Sequence, residues 1–233
     1  MLATWAQYVS LCMSQTQVYG VRRVKIFMEK QQVIRVGQRY RVAIGADKND
    51  GSGANAGHVR VYEYSSNSSA WLQLGADIDG ETSLDLSGRA VSLSGDGRRV
   101  AVGAYLNDGE GDSENTGHVR VYEYVGADVN TWLQVGSDLD GQTVGDKSGI
   151  SVSLSNDGSC VAIGAFENDG AGNQAGNVRV FEYIDIGDSG AMNTWTLLGS
   201  AINGEAAEDR SGYVVSLSDT GRRVAISAHL NDA

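Results

Sequence analysis

Short apolar runs punctuated by Gly, Asp, Asn and Ser recur along the chain from residue 42 onward. Each is a few residues of Val, Leu, Ile and Tyr with partial alternation, the pattern of short strands rather than helices. The phrase VRVYEY fills residues 59–64 and 119–124 and returns as VRVFEY at 178–183. Tryptophan follows each time (Trp71, Trp132, Trp195), opening WLQLG, WLQVG and WTLLG. An acidic loop then ends in Ser-Gly, at Ser87-Gly88, Ser148-Gly149 and Ser211-Gly212. VSLS starts at Val91, Val152 and Val215, and VAIGA or a close variant at Val42, Val100, Val161 and Val224. The period is about 60 residues, and internal repetition of this kind decides the architecture.

We label the predicted strands A (VSLS), B (VAIGA), C (VRVYEY) and D (WLQLG). Gly95-Asp96-Gly97, Asn156-Asp157-Gly158 and Asp219-Thr220-Gly221 join A to B. The glycine supplies the positive φ that a tight hairpin needs. A lone four-stranded sheet cannot bury both faces, so neighbours must stack on it. The prediction is all-β: a β-propeller of four-stranded antiparallel blades, an incomplete ring of about 3.5 to 4 blades. Solenoid and sandwich arrangements are its rivals.

Complete blades are expected at residues 88–136 and 149–199, with partial ones at 41–75 and 212–233, so that 41–233 is one run of repeats. Residues 1–40 read either as a degenerate blade with trimmed loops or as a truncated or mis-spliced gene product, the second reading being the preferred one. VRRVKIF at 21–27 faintly echoes strand C, VIRVG at 33–37 echoes strand D, and a strand A before Val42 is missing. Charge marks the same boundary. Residues 1–41 hold seven bases and one acid, which leaves −17 on the remainder against −11 for the whole chain. That balance argues against nucleic acid and against an anionic membrane surface as partners, and no run is apolar and long enough to span a bilayer.

The run at residues 148–183, SGISVSLSNDGSCVAIGAFENDGAGNQAGNVRVFEY, resembles the FG-GAP repeat of integrin α-chains. Ser-Gly stands where that family has Phe-Gly, and Asp47, Tyr105, Phe166 or His229 where it has proline. The resemblance, spanning residues 41–233, implies a non-catalytic binding or adhesion module at the cell surface or outside the cell, with a protein or glycan partner and no enzymatic activity. The family's calcium-binding members carry Asp-x-Asp-x-Asp-Gly in the A–B hairpin. Here LSGDGRR, LSNDGSC and LSDTGRR leave too few carboxylates, so the calcium site is not carried over and no cofactor is assigned. The rival functions are a propeller-fold polysaccharide lyase or hydrolase, which needs one repeat broken by unique catalytic residues, and a structural spacer in a larger surface protein.

The loops after strands B and D are acidic. Asp50, Asp108 and Asp169 recur at one position, Asp85, Asp146 and Asp209 at another. They are candidates for binding a cation, a cationic partner or a glycan; the plainer reading is that such Asx side chains cap turns. Asp108, Glu110, Asp112 and Glu114 are the densest acidic group and the candidate calcium ligands, although the spacing completes no EF-hand pattern. The three recurrent tryptophans are read as packing anchors before sugar platforms. His58 and His118 share a position that is Asn177 in the third repeat, which suggests hydrogen bonding at the strand start rather than metal ligation. Cys160 replaces Arg99, a tolerant strand position and not that of a nucleophile.

Overall fold

The computed structural model describes residues 31–36, 39–109, 114–126, 129–185 and 193–232. Among them the chain is all-β, a series of antiparallel sheets without a helix. The first sheet takes β1 (Gln31–Val36), β2 (Arg39–Ala46), β3 (His58–Ser65) and β4 (Ala70–Gln73) in that order, with a short β5 (Ile78–Asp79) beside β4 on the same edge of β3. The second repeats this with β6 (Ala90–Leu93), β7 (Arg99–Ala104), β8 (His118–Val125), β9 (Thr131–Gln134) and β10 (Leu139–Asp140). The third follows with β11 (Ser151–Leu154), β12 (Cys160–Ala165), β13 (Asn177–Ile184), β14 (Thr194–Leu197) and β15 (Ile202–Asn203). A fourth holds β16 (Ser211–Leu217) and β17 (Val224–Ala228). The register is common to all three large sheets: Val42 faces Tyr62, Val100 faces Tyr122, and Val161 faces Phe181.

One expectation is revised. Residues 33–36, likened in sequence to strand D, lie antiparallel to β2 in the place of strand A, with Val33 opposite Val42. Only two residues separate β1 from β2, and a gap that short joins antiparallel neighbours, not parallel ones. Residues 1–30 of the N-terminal segment, VRRVKIF included, lie outside the described residues.

The sheets stack face to face, and this buries the strands. Val59 and Val61 of the first sheet pack with Val91, Val100 and Trp132 of the second. Val119 and Val121 of the second pack with Val161, Ile163 and Trp195 of the third. Val178 and Val180 of the third pack with Val215 of the fourth. Alternation accounts for strand C, where Val59, Val61, Val119 and Val178 are shielded and Arg60, Arg120 and Arg179 point to the other face. Covered from both sides, β12 is buried along its whole length.

Two devices fix the spacing between sheets. Gly45, Gly103 and Gly164 of strand B each lie against a Ser-Gly of the next sheet, where an added Cβ would come within 1.9, 2.1 and 1.9 Å of the carbonyl oxygens of Gly88, Gly149 and Gly212. Only glycine permits that approach. The indole N–H of Trp132 donates to the Leu74 carbonyl at 2.7 Å, and that of Trp195 to the Val135 carbonyl at 2.8 Å. Both rings therefore serve as anchors between sheets. Cys160 is buried and packs at Gly221 of the following hairpin, in the place where Arg99 reaches the Gly158 carbonyl at 3.1 Å. Burial pushes its thiol up.

Candidate functional site

The loops leaving strands B and D emerge together at one end of the stack, and the two recurrent aspartates of this end have different environments. Asp50, Asp108 and Asp169 stay at the surface of the B–C loops. Each accepts a backbone N–H, from Asn55 at 2.8 Å, Asn115 at 3.0 Å and Gln174 at 2.7 Å. These three donors all have positive φ, near 50°, a conformation that costs about 1–2 kcal/mol outside glycine. The aspartate offsets it by closing the turn.

Asp85, Asp146 and Asp209 are buried, each 2% exposed. Asp146 accepts N–H groups of Gln142 and Thr143 at 2.8 and 2.9 Å and the Thr143 hydroxyl at 2.6 Å. The amide of Asn168 adds a fourth bond at 3.0 Å, from the B–C loop of the following sheet. Asp85 is held in the same way by Thr82 and Asn107, and Asp209 by Ala206 and Asn231. Asn107, Asn168 and Asn231, the first residues of three Asn-Asp turns, are thus ties between sheets. Their partners always lie 22 residues earlier, a constant spacing visible in the sequence that the reading of motifs one at a time passed over.

Of the acidic group proposed for calcium, Glu110 and Asp112 lie outside the described residues. Asp108 and Glu114 line a groove of about 620 Å³ between the loops of the first two sheets, with Lys48, Asn55, Leu84 and Leu106 among its other walls. Leu84 is 62% exposed, so the groove offers an apolar patch beside two carboxylates and an ammonium group.

Two further clusters sit where strand C begins. His58 Nδ1 is 3.6 Å from Asp77, and His118 Nδ1 is 3.4 Å from Asp138. With Asp79 and Glu81 these make two sets of one imidazole and two carboxylates, each within 4.8 Å of one another. One nitrogen and two oxygens fall short of the roughly six to eight oxygens calcium takes. Cations already occupy the carboxylates: Arg60 grips Asp77 through three contacts of 2.7 to 2.9 Å, and Arg120 pairs with Glu81 at 2.9 Å. Guanidinium in that position repels a divalent ion, so the donors do not fit a resident metal. Burial lowers both imidazoles, His118 to about 4. In the third repeat the whole set changes together, to Asn177, Ala201, Asn203 and Gln142, and the Asn177 amide donates to Gln142 at 3.1 Å. The histidines travel with their acids, and the Nε2 of His118 is buried without a hydrogen-bond partner.

No family model matches the chain. No curated protein matches it either. Two solved structures are similar to it over 84% of its residues. One is a protein of Bacteroides uniformis provisionally named a 6-phosphogluconolactonase, 10% identical with a TM-score of 0.49, of which the chain covers 47%. The other is the periplasmic gluconolactonase of Pseudomonas aeruginosa, 18% identical with a TM-score of 0.48, of which the chain covers 50%. The chain spans about half the length of these two proteins.

The expected FG-GAP and integrin-like kinship is corrected: no family model carries it, and the two solved structures described above bear the names of lactonases. With it go the non-catalytic adhesion module and the exclusion of enzymatic activity. The geometry agrees in one respect. Of the acids meant to meet an adhesion partner, Asp85, Asp146 and Asp209 are buried in the loop network.

Proposed function

We propose that the four sheets are consecutive blades of a β-propeller and that the chain is part of a hydrolase. Its substrate would be a polyhydroxylated compound of sugar or sugar-acid type, held in the groove between the first two sheets. The common register and face-to-face stacking support the propeller. The catalytic reading rests on one observation: the groove collects residues by which otherwise interchangeable repeats differ. Lys48 is Leu106, Glu167 and Leu230 in the other repeats, and Glu114 is Ala54 and Asn173. A site that does chemistry once needs groups that occur once.

In this reading Glu114 takes the proton of a water attacking the carbonyl or anomeric carbon and returns it to the departing oxygen. Lys48 steadies the negative charge that develops on oxygen, and Asp108, fixed by the Asn115 N–H, accepts substrate hydroxyls. Leu84 and Leu106 face the C–H side of the ring. Sugar-acid lactones, the substrates in the names of the two solved structures, and chromogenic glycosides are the first compounds to assay. We expect hydrolysis that falls about 100-fold or more in Glu114→Gln and Lys48→Met, with the thermal midpoint unchanged. Absence of turnover on both classes, or full rates in both variants, overturns the proposal.

A further inference from the structure

Where two sheets meet, the residue that follows strand B stands against the residue that follows the Ser-Gly of the next sheet. In the third of these seams the pair is Phe166 and Tyr213, packed edge-on with ring centroids 5.6 Å apart. In the second the same positions hold Tyr105 and Ile150. The first seam departs from this apolar pattern. It holds Asp47 and Arg89, with the guanidinium 3.6 Å from the carboxylate. Adding the next residue of the B–C loop gives Asp47, Lys48 and Arg89 in the first seam, against Tyr105, Leu106 and Ile150, and Phe166, Glu167 and Tyr213. The first set is net positive, the second uncharged and the third net negative. Stacking does not require a charge at a position it fills elsewhere with isoleucine or an aromatic ring.

This positive set adjoins the groove. Lys48 and Leu106 line it, and the Arg89 N–H donates to the carbonyl of Leu86, another of its walls, at 3.2 Å. The side chain of Asp47 is 5% exposed and that of Arg89 27%, so the acid is shut in while the guanidinium keeps an edge toward solvent. Burial pushes the Asp47 carboxyl up, with Lys48 pulling the other way. Their 3.6 Å separation exceeds the roughly 2.7–2.9 Å of a charge-assisted hydrogen bond. Burial also pushes up the Tyr105 phenol, on which Arg89 and Asp47 act in opposite directions, so it stays an O–H donor at neutral pH.

We infer that Arg89 forms a carboxylate subsite beside the groove and that the substrate is an acidic sugar. The guanidinium takes the sugar's carboxylate, for which its planar fork of donors is matched, while the ring lies along the groove. Asp47 aims the guanidinium and competes with the incoming carboxylate for it. This rests on the reading of the groove as a site for a sugar-type compound.

Glucuronate and glucose, alike except at C6, test the subsite by calorimetric titration into the full chain, without any demand for turnover. We expect glucuronate to bind at least about tenfold more tightly, the effect of one charge-assisted pair. Arg89→Ile, which copies the second seam, abolishes that preference and leaves glucose binding unchanged. Asp47→Asn keeps the side chain's size and removes the competing charge, so it tightens glucuronate about threefold. A pair that only ties the two sheets predicts no tightening, and this second variant decides the matter should Arg89→Ile fail to fold. Equal binding of the two sugars by the wild type, or an Asp47→Asn chain that binds glucuronate no better, overturns the subsite. Turnover without a preference for glucuronate sinks the subsite alone; preference without turnover sinks the hydrolase and leaves the subsite standing.

Discussion

Replacing Asp146 by Ala separates a structural carboxylate from a ligand-binding one. The wild-type group, 2% exposed, accepts four hydrogen bonds: two from backbone N–H groups, one from a hydroxyl and one from the Asn168 amide. Hydrogen bonds to a charged group contribute about 1.5–3 kcal/mol each in isolation, but they are not additive, and water will reach some of the donors once the side chain is gone. Removing one member of such a buried network typically costs about 3–5 kcal/mol. Asn168→Ala loses the tie across sheets and the bond from Gly170 N at 3.0 Å, and costs about 2 kcal/mol. A double-mutant cycle on the pair then yields a coupling of about 1–2 kcal/mol, because the two residues share a bond. Urea denaturation at neutral pH reads all four values. A carboxylate kept for binding a ligand is a strained, repelled group, and its removal leaves stability level or raised. If Asp146→Ala costs less than about 1 kcal/mol, or the coupling vanishes, the latch is refuted.

Two other substitutions probe the stack and its titration. Trp195→Phe keeps a ring 5.2 Å from Tyr183 but loses the bond to the Val135 carbonyl, and costs about 1–2 kcal/mol in urea melts. Trp71→Phe, at the same repeat position but 46% exposed, stays within about 0.5 kcal/mol; equal effects at the two sites contradict the anchor. His118 has its pKa lowered from 6.5 to about 4 by burial, so between those values the unfolded chain binds the extra proton and stability falls with falling pH. That difference in pKa sets a loss of at most about 3 kcal/mol, complete below pH 4 and absent above pH 6.5. His118→Asn, the third repeat's own residue, flattens the fall in that window; melting curves of equal pH slope in the two proteins would refute it.

Strand positions and hairpins were legible because both rest on local rules. Alternation places Val59 and Val61 inward, and a glycine such as Gly97, with φ of 64°, makes the A–B turn. Stacking was legible too, since no single sheet of this size covers its own valines. What stayed hidden depends on contacts between repeats. Nothing local distinguishes Asp85, sealed under Asn107, from Asp108, left at the surface; both stand in Gly-rich acidic loops. Residues 33–36 alternate like any strand, and only pairing shows that they take the first position and not the last. The FG-GAP likeness misled for the same reason. Its anchors are the turn glycines and alternating strands that any stacked four-stranded repeat requires, and the glycine of Ser148-Gly149 answers the close approach of Gly103.

Repetition and chemistry pull in opposite directions in a chain of this kind. Each residue that serves the stack must recur, because every interface is the same interface: the indoles, the buried aspartates and their asparagine partners, the glycines of strand B. Recurrence is therefore a sign of structure, and the acidic residues that looked most like a ring of ligands are the ones most firmly spoken for. A group that serves one reaction rather than the stack is found by subtracting the repeat from itself. That subtraction leaves Lys48 and Glu114, which have no counterpart of the same charge at the same positions elsewhere and which border one groove.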